Sequence, residues 1–334
     1  MTQDTEIDIE LITWAGKNLL DGCHPDTIIQ HLTSRINDRA EATAIVEKVV
    51  QNLSLLGARD LSLKYRKLSN MVNVLAQQLR YSKVADGVPV ETNITPERFF
   101  KEYYFCNRPV IVRGLMNNWK ALKNWSLDFF EQKYGNFKVE VVTNRNSDPN
   151  YEERYKEHCE EMLLSEFIQQ IRSGVGNDMY LIARNRLLDR SQFSDLLNDF
   201  DHPAGFLKQK SQKDVPYFWL GGAGTITALH HDVNNSFFGV VLGRKHFKLI
   251  PSLEINSLYN DRICYTAFNM EQPDFNTYPL ARNVLTLDVV VYPGDFLLIP
   301  IGWWHHVKSL DPCISFTFQD FDIPDIDNWV HYNV

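Results

Sequence analysis

From Tyr217 to Phe318 the chain returns again and again to one short unit, an apolar run too brief for a helix, closed by a turn carrying glycine or proline. Phe237-Phe238-Gly239-Val240-Val241-Leu242 meets Gly243-Arg244 and continues through Phe247-Lys248-Leu249-Ile250-Pro251. Val289-Val290-Val291-Tyr292 meets Pro293-Gly294-Asp295 and continues through Phe296-Leu297-Leu298-Ile299-Pro300. Each pair is predicted to form a hairpin, with Ile314-Ser315-Phe316-Thr317-Phe318 as the last strand. Many short strands punctuated in this way favour a barrel or sandwich over a βαβ fold.

Upstream the periodicity changes. Ile7, Leu11, Ile12, Ala15 and Leu19 recur at intervals of helical turns, Gly22 stands where a helix would be capped, and Pro25 stands where the next would open. Further helices are predicted through Ala44, Ile45, Val49 and Val50, and through Leu61, Tyr65, Leu68, Val72, Leu75 and Leu79. These helices either pack on one another alone or dock a partner subunit or substrate. Residues 82–93 read as a linker, ending at a helix capped by Thr95 and opened by Pro96. Val110-Ile111-Val112 and Lys138-Val139-Glu140-Val141-Val142 read as strands, as does Met179-Tyr180-Leu181-Ile182, and Ser165-Glu166-Phe167-Ile168 reads as helix. The charged segment 144–161 is either a solvated loop or a lip over a groove. The expected division is a helical subdomain over 1–90 and a second domain over 91–334.

Composition limits the function classes. A net charge of −8 without a basic cluster argues against a nucleic-acid partner. No run of about eighteen apolar residues is present, so no membrane span is expected. The acidic start Met1-Thr2-Gln3-Asp4-Thr5-Glu6 is unlike a secretory signal, and five scattered cysteines without a Cys-x-x-Cys pair suggest free thiols. A cytoplasmic protein is expected. Oligomeric state stays open, with the N-terminal helices as the candidate homodimer interface.

Two stretches carry chemistry. In Leu229-His230-His231-Asp232, residues two apart on a strand share a face, so His230 and Asp232 can reach one ion while His231 points away. Two imidazoles and a carboxylate form the facial triad that binds non-haem Fe(II) and leaves coordination positions open. In a chain with ten histidines a lone His-x-Asp is weak support. The second stretch, Pro300-Ile301-Gly302-Trp303-Trp304-His305-His306-Val307, follows the Pro293-Gly294-Asp295 turn and its apolar strand, and supplies the distant histidine.

Together these motifs resemble the Jumonji C and cupin-type family of Fe(II)- and 2-oxoglutarate-dependent oxygenases, and within it the protein hydroxylases, such as the asparaginyl hydroxylase acting on hypoxia-inducible factor. The resemblance runs over roughly residues 95–320 and includes Arg108-Pro109-Val110-Ile111-Val112-Arg113-Gly114 with Trp119. It implies a mainly β fold with α elements, a double-stranded β-helix (jelly-roll, cupin-like) core behind an N-terminal helical subdomain. It also implies that His305 is the third metal ligand after His230 and Asp232. The implied co-substrates are 2-oxoglutarate and O2, with succinate and CO2 released as a protein or peptide side chain is hydroxylated.

By family position Lys245 binds the distal carboxylate of 2-oxoglutarate, with Thr227 as hydroxyl partner and Tyr180 completing the pocket. Without that spacing, Lys245 would read as an exposed lysine beside a glycine turn. Two positions depart from the family pattern, where Ser236 and Gln319 stand in place of asparagines near the co-substrate. His231, His246 and His306 read as ordinary core or surface imidazoles, and Trp303 and Trp304 as wall and core. The rival readings are an N-methyl-lysine demethylase and a cupin that holds metal without turnover.

Overall fold

The computed structural model describes residues 3–174, 176–209, 215–260 and 263–323. The chain divides between Leu75 and Ala76 into two compact units.

The first unit holds helices α1 (Gln3–Leu20), α2 (Pro25–Ile36), α3 (Arg39–Val50) and most of α4 (Leu53–Leu79). The apolar stripes meet as their spacing predicts: Leu11, Ala15 and Leu19 of α1 pack with Ile28 and Leu32 of α2 and with Ile45, Val46 and Val49 of α3. Gly22 ends α1 at φ +86°, a conformation that side chains resist, and Pro25 opens α2.

In the second unit the segment predicted as a linker contributes a strand, β1 (Val90–Thr92), paired in parallel with β2 (Val110–Arg113). Between them Thr95 caps α5 (Pro96–Phe99) by accepting the Arg98 amide. The chain continues through α6 (Ala121–Asn124), α7 (Leu127–Tyr134), β3 (Lys138–Val142), β4 (Cys159–Leu163), α8 (Leu164–Ser173) and β5 (Tyr180–Leu181). Eight strands follow: β6 (Tyr217–Gly221), β7 (Ile226–His231), β8 (Ser236–Leu242), β9 (Lys245–Ile250), β10 (Leu287–Val291), β11 (Asp295–Ile299), β12 (Trp304–Ser309) and β13 (Cys313–Phe318).

The strands form two sheets, one of nine strands in the order β1-β2-β11-β8-β13-β6-β5-β3-β4 and one of four in the order β10-β9-β12-β7. Both predicted hairpins are therefore corrected. β8 and β9 lie in different sheets, as do β10 and β11, so each turn carries the chain over the edge of a sandwich. β8 pairs instead with β11 and β13, and β9 with β10 and β12. A glycine turn between two apolar runs suits strands stacked face to face as well as strands side by side, so local sequence could not separate them. Gly243, at φ +74°, makes one such crossing where a Cβ would lie 2.2 Å from the Pro312 carbonyl oxygen.

This layering explains why Phe237–Leu242 is continuously apolar. Phe238 and Val240 face the small sheet, packing with Phe247, Leu249 and Val291, while Phe237 and Val241 face the helices through Phe99, Trp125 and Phe167. A strand covered on both sides has no polar face to alternate with. Fully buried rings such as Phe237 and Phe247 each contribute about 2 kcal/mol of apolar burial. The result is a jelly-roll, mainly β with α. Among the described residues no helix is long and apolar enough to cross a membrane.

Candidate metal centre

Antiparallel pairing of β7 with β12 sets His305 directly opposite His230, their ring centroids 4.1 Å apart. Asp232 follows β7 and completes the group, its carboxylate oxygens 3.8 Å from His230 Nε2 and 3.9 Å from His305 Nε2. The metal-ligating atoms of these three residues all lie within 4.8 Å of one another. Each imidazole has its other nitrogen on a backbone carbonyl: His230 Nδ1 donates to Ala228 O at 2.8 Å, and His305 Nδ1 to Trp303 O at 3.0 Å. A carbonyl only accepts, so Nδ1 carries the proton and each Nε2 lone pair is free to face the carboxylate. Burial, reinforced by His230 alongside, lowers the His305 pKa to about 4 and keeps that imidazole neutral at pH 7, as a metal ligand requires. The donor set of two neutral imidazoles and one carboxylate therefore fits a divalent iron.

The other histidines sit elsewhere. His231 packs at 4.8 Å against the buried Trp304 ring, His246 pairs with Asp288 at 2.8 Å, and His306 is buried on the far side of β12 from His305. Trp303 donates its indole N–H to Asn107, and neither tryptophan lines the chamber around the triad.

That chamber has a volume of about 420 Å³ and is lined by Thr227, Tyr180, Lys245, Ser236 and Gln319 as well as the triad. Lys245 is 2% exposed, its ammonium donating to Tyr180 Oη at 2.8 Å. No described carboxylate pairs with it. A buried cation left with one phenol calls for an anion. The distal carboxylate of 2-oxoglutarate meets that need, and the buried Lys245–Tyr180 pair is the feature by which the chamber fits this group. Thr227 shares the chamber with His230 although the two are three positions apart, which strand parity alone would forbid. The reason is a register shift: His305 and Val307, two apart on β12, oppose His230 and Thr227, three apart on β7. The extra residue in β7 is a bulge that turns both side chains to one face.

Ser236 and Gln319 support the Asp232 carboxylate. Ser236 Oγ donates to Asp232 Oδ2 at 2.9 Å, Gln319 Nε2 donates to Ser236 Oγ at 3.4 Å, and Asn234 Nδ2 donates to Gln319 Oε1 at 3.2 Å. This relay orients the carboxylate toward the imidazoles.

Several lining residues escaped the sequence reading. Tyr265 stacks on His230 at 5.7 Å, and its segment is tied to β7 by the His231 amide, which donates to Cys264 O. It belongs to the long connection between β9 and β10, which has neither strand nor helix periodicity. Trp219 donates to Thr317 Oγ1 and lies against Tyr180. In the charged segment 144–161, Glu152 lines the chamber and pairs with Arg145 at 3.0 Å. Arg145 is 1% exposed and also donates to Asn177 Oδ1 and Ile226 O. The segment is thus a lip fastened to β7 by a buried arginine, a residue whose charge and polar neighbours look solvated in sequence.

Comparison with known proteins agrees with this geometry. The family described as "Cupin-like domain" matches residues 96–319. Lysine-specific demethylase 8 of Xenopus tropicalis is 28% identical over 66% of the chain and 50% of its own length. Lysine-specific demethylase JMJ30 of Arabidopsis thaliana is 28% identical over 69% of the chain and 54% of its own length. The bifunctional peptidase and (3S)-lysyl hydroxylase JMJD7 of Homo sapiens is 24% identical over 67% of the chain and 80% of its own length. The chain thus spans about half the length of the first two relatives. A jelly-roll that sets two histidines and an aspartate around one point, matched by the family over most of its length, places this chain in the cupin-like Jumonji C family.

Proposed function

We propose that the protein is an Fe(II)- and 2-oxoglutarate-dependent dioxygenase that hydroxylates a side chain of a protein or peptide, releasing succinate and CO2. The observation that carries this reading is one chamber holding both the His230, Asp232, His305 triad and the buried Lys245–Tyr180 pair. Bound iron with 2-oxoglutarate supplies the oxidising power to break a C–H bond and insert oxygen. The chain's residues supply the rest. His230, Asp232 and His305 hold the metal on one face, Lys245, Tyr180 and Thr227 fix the far carboxylate, and Phe247, Val307 and Ile299 keep that part of the chamber dry. Tyr265 and Glu152 stand at the wall past which a substrate side chain reaches the metal.

Methyl removal from lysine is the second reading, favoured by the names of the frog and Arabidopsis relatives. Mass spectrometry decides between them. Peptides incubated with the protein, Fe(II), 2-oxoglutarate and air are expected to gain the mass of one oxygen. Loss of a methyl mass would assign demethylation, and absence of succinate with every peptide would leave a metal-holding cupin. The five cysteines are unpaired, which fits a reducing compartment, and the cytoplasm is the proposed location.

A homodimer through the N-terminal helices belongs to the same proposal. Leu61, Tyr65, Leu68, Val72, Leu75 and Leu79 follow at alternating intervals of four and three, the spacing of a coiled-coil seam. Leu61, Tyr65 and Leu68 are each more than 60% exposed. A second copy of α4 would cover this stripe. Sedimentation should show a dimer for the native chain and a monomer for the L61E/L68E variant, and a monomeric native chain would refute the assignment.

A further inference from the structure

Four ionised side chains line the metal chamber: Glu152, Arg184, Asp232 and Lys245. Three of them have their charge accounted for. Asp232 faces the two imidazoles, Glu152 pairs with the buried Arg145 at 3.0 Å, and Lys245 stands with Tyr180 where the proposed co-substrate places a carboxylate. Arg184 is the fourth, exposed at the rim, and among the described residues no carboxylate pairs with it. The groups that feel its charge are two phenols and a thiol, Tyr155, Tyr265 and Cys264.

Its guanidinium is held in place. Arg184 Cζ lies 4.4 Å above the centre of the Tyr155 ring, and Tyr155 packs in turn against Val142, Tyr180 and Ile182. Stacking covers the flat face of a guanidinium and leaves the N–H groups on its edge to donate in pairs. The backbone that carries it is fixed as well. It belongs to a single helical turn, Ala183–Asn185, between β5 and β6. Asn185 is 4% exposed, donates its amide to Ile182 O and Phe218 O, and accepts the Leu187 N–H at 2.6 Å. Arg186 follows in the left-handed region at φ +51°, where side chains are disfavoured. A strained residue beside a pinned turn marks a position the fold maintains, and strain of this kind gathers at functional sites.

We propose that Arg184 is a specificity-determining residue: its guanidinium receives a carboxylate on the substrate, and the chamber accordingly takes a polypeptide with an acidic side chain next to the residue that is oxidised. The inference rests on the proposed oxygenase reading and names the charge of its substrate. A planar guanidinium held by one face matches a carboxylate through two parallel N–H···O contacts. Its exposure at the rim lets a polypeptide lying over the mouth reach it directly, whereas a cation brought to the same place meets like charge.

Binding without turnover tests this, by fluorescence anisotropy of the full chain at physiological ionic strength, with labelled, end-capped decapeptides of alternating glutamate and alanine or of alternating glutamine and alanine. The glutamate peptide should bind at least about fivefold more tightly. A chain of net charge −8 repels it at long range, so such a preference has to arise at a local cation. R184Q should bind the two peptides equally, R184E should favour the glutamine peptide, and excess 2-oxoglutarate should leave the native preference in place. Equal affinity in the native chain, binding of neither peptide, or a preference that R184Q retains would overturn the proposal. So would a preference that 2-oxoglutarate abolishes, since the anion would then belong to Lys245. Succinate formation plays no part in these measurements, so failure of the oxygenase reading shows separately, in the succinate assay.

Discussion

Asp232→Ala should abolish succinate formation, lowering the peptide-stimulated rate by at least about three decades, or roughly 4 kcal/mol of barrier. Asp232 is the only carboxylate among the three groups whose ligating atoms converge, and both imidazole Nε2 atoms lie within 3.9 Å of it. Without it two neutral donors face a divalent ion with no charge to offset it. Ser236 and Gln319 cannot substitute, since neither carries a charge. The variant should also purify with far less iron than the native chain, as metal analysis would show. Succinate formation persisting near the native rate, with iron still bound, would mean that the ligand set lies elsewhere.

Lys245→Met should have two opposite effects. The apparent affinity for 2-oxoglutarate should fall by roughly 100-fold, about 3 kcal/mol, because the variant removes a charge-assisted contact in a desolvated place. The protein alone should melt at a higher temperature than the native chain. Lys245 is 2% exposed with Tyr180 Oη as the partner of its ammonium, and a methionine of similar volume removes the cost of an ion held in the interior with no described carboxylate beside it. This opposition of stability and function separates a binding cation from a structural one. If Lys245 served packing alone, the variant would leave the 2-oxoglutarate dependence unchanged and no carboxylate role would remain for it.

Much of the fold was legible because its signals are local. Helix periodicity, Pro25, Thr95 with Pro96, and the apolar runs after Tyr217 each depend on residues within a turn or a strand of one another. Sheet membership was not legible. The Gly243-Arg244 turn has the same composition whether the flanking strands pair or stack, and which occurs depends on β13 and β11, tens of residues away, lying beside β8. β1 escaped for a related reason, since three residues in parallel pairing leave no period to detect.

The candidate site divides along the same line. His230 and Asp232 could be paired from strand parity, a property of two residues in one strand. Lys245, Thr227 and His305 came from family spacing, and their physical basis is tertiary. Thr227 reaches the chamber only because β7 bulges against β12, and His305 stands opposite His230 only through that register. Tyr265, Glu152 and Arg145 were invisible, because a polar or charged residue in an aperiodic segment reads as solvated until another element covers it. The sequence by itself determined which groups could hold a metal and that the chain would build strands around them. Only the tertiary structure decided which faces those groups share and what closes the chamber, since both follow from contacts between segments distant in the chain.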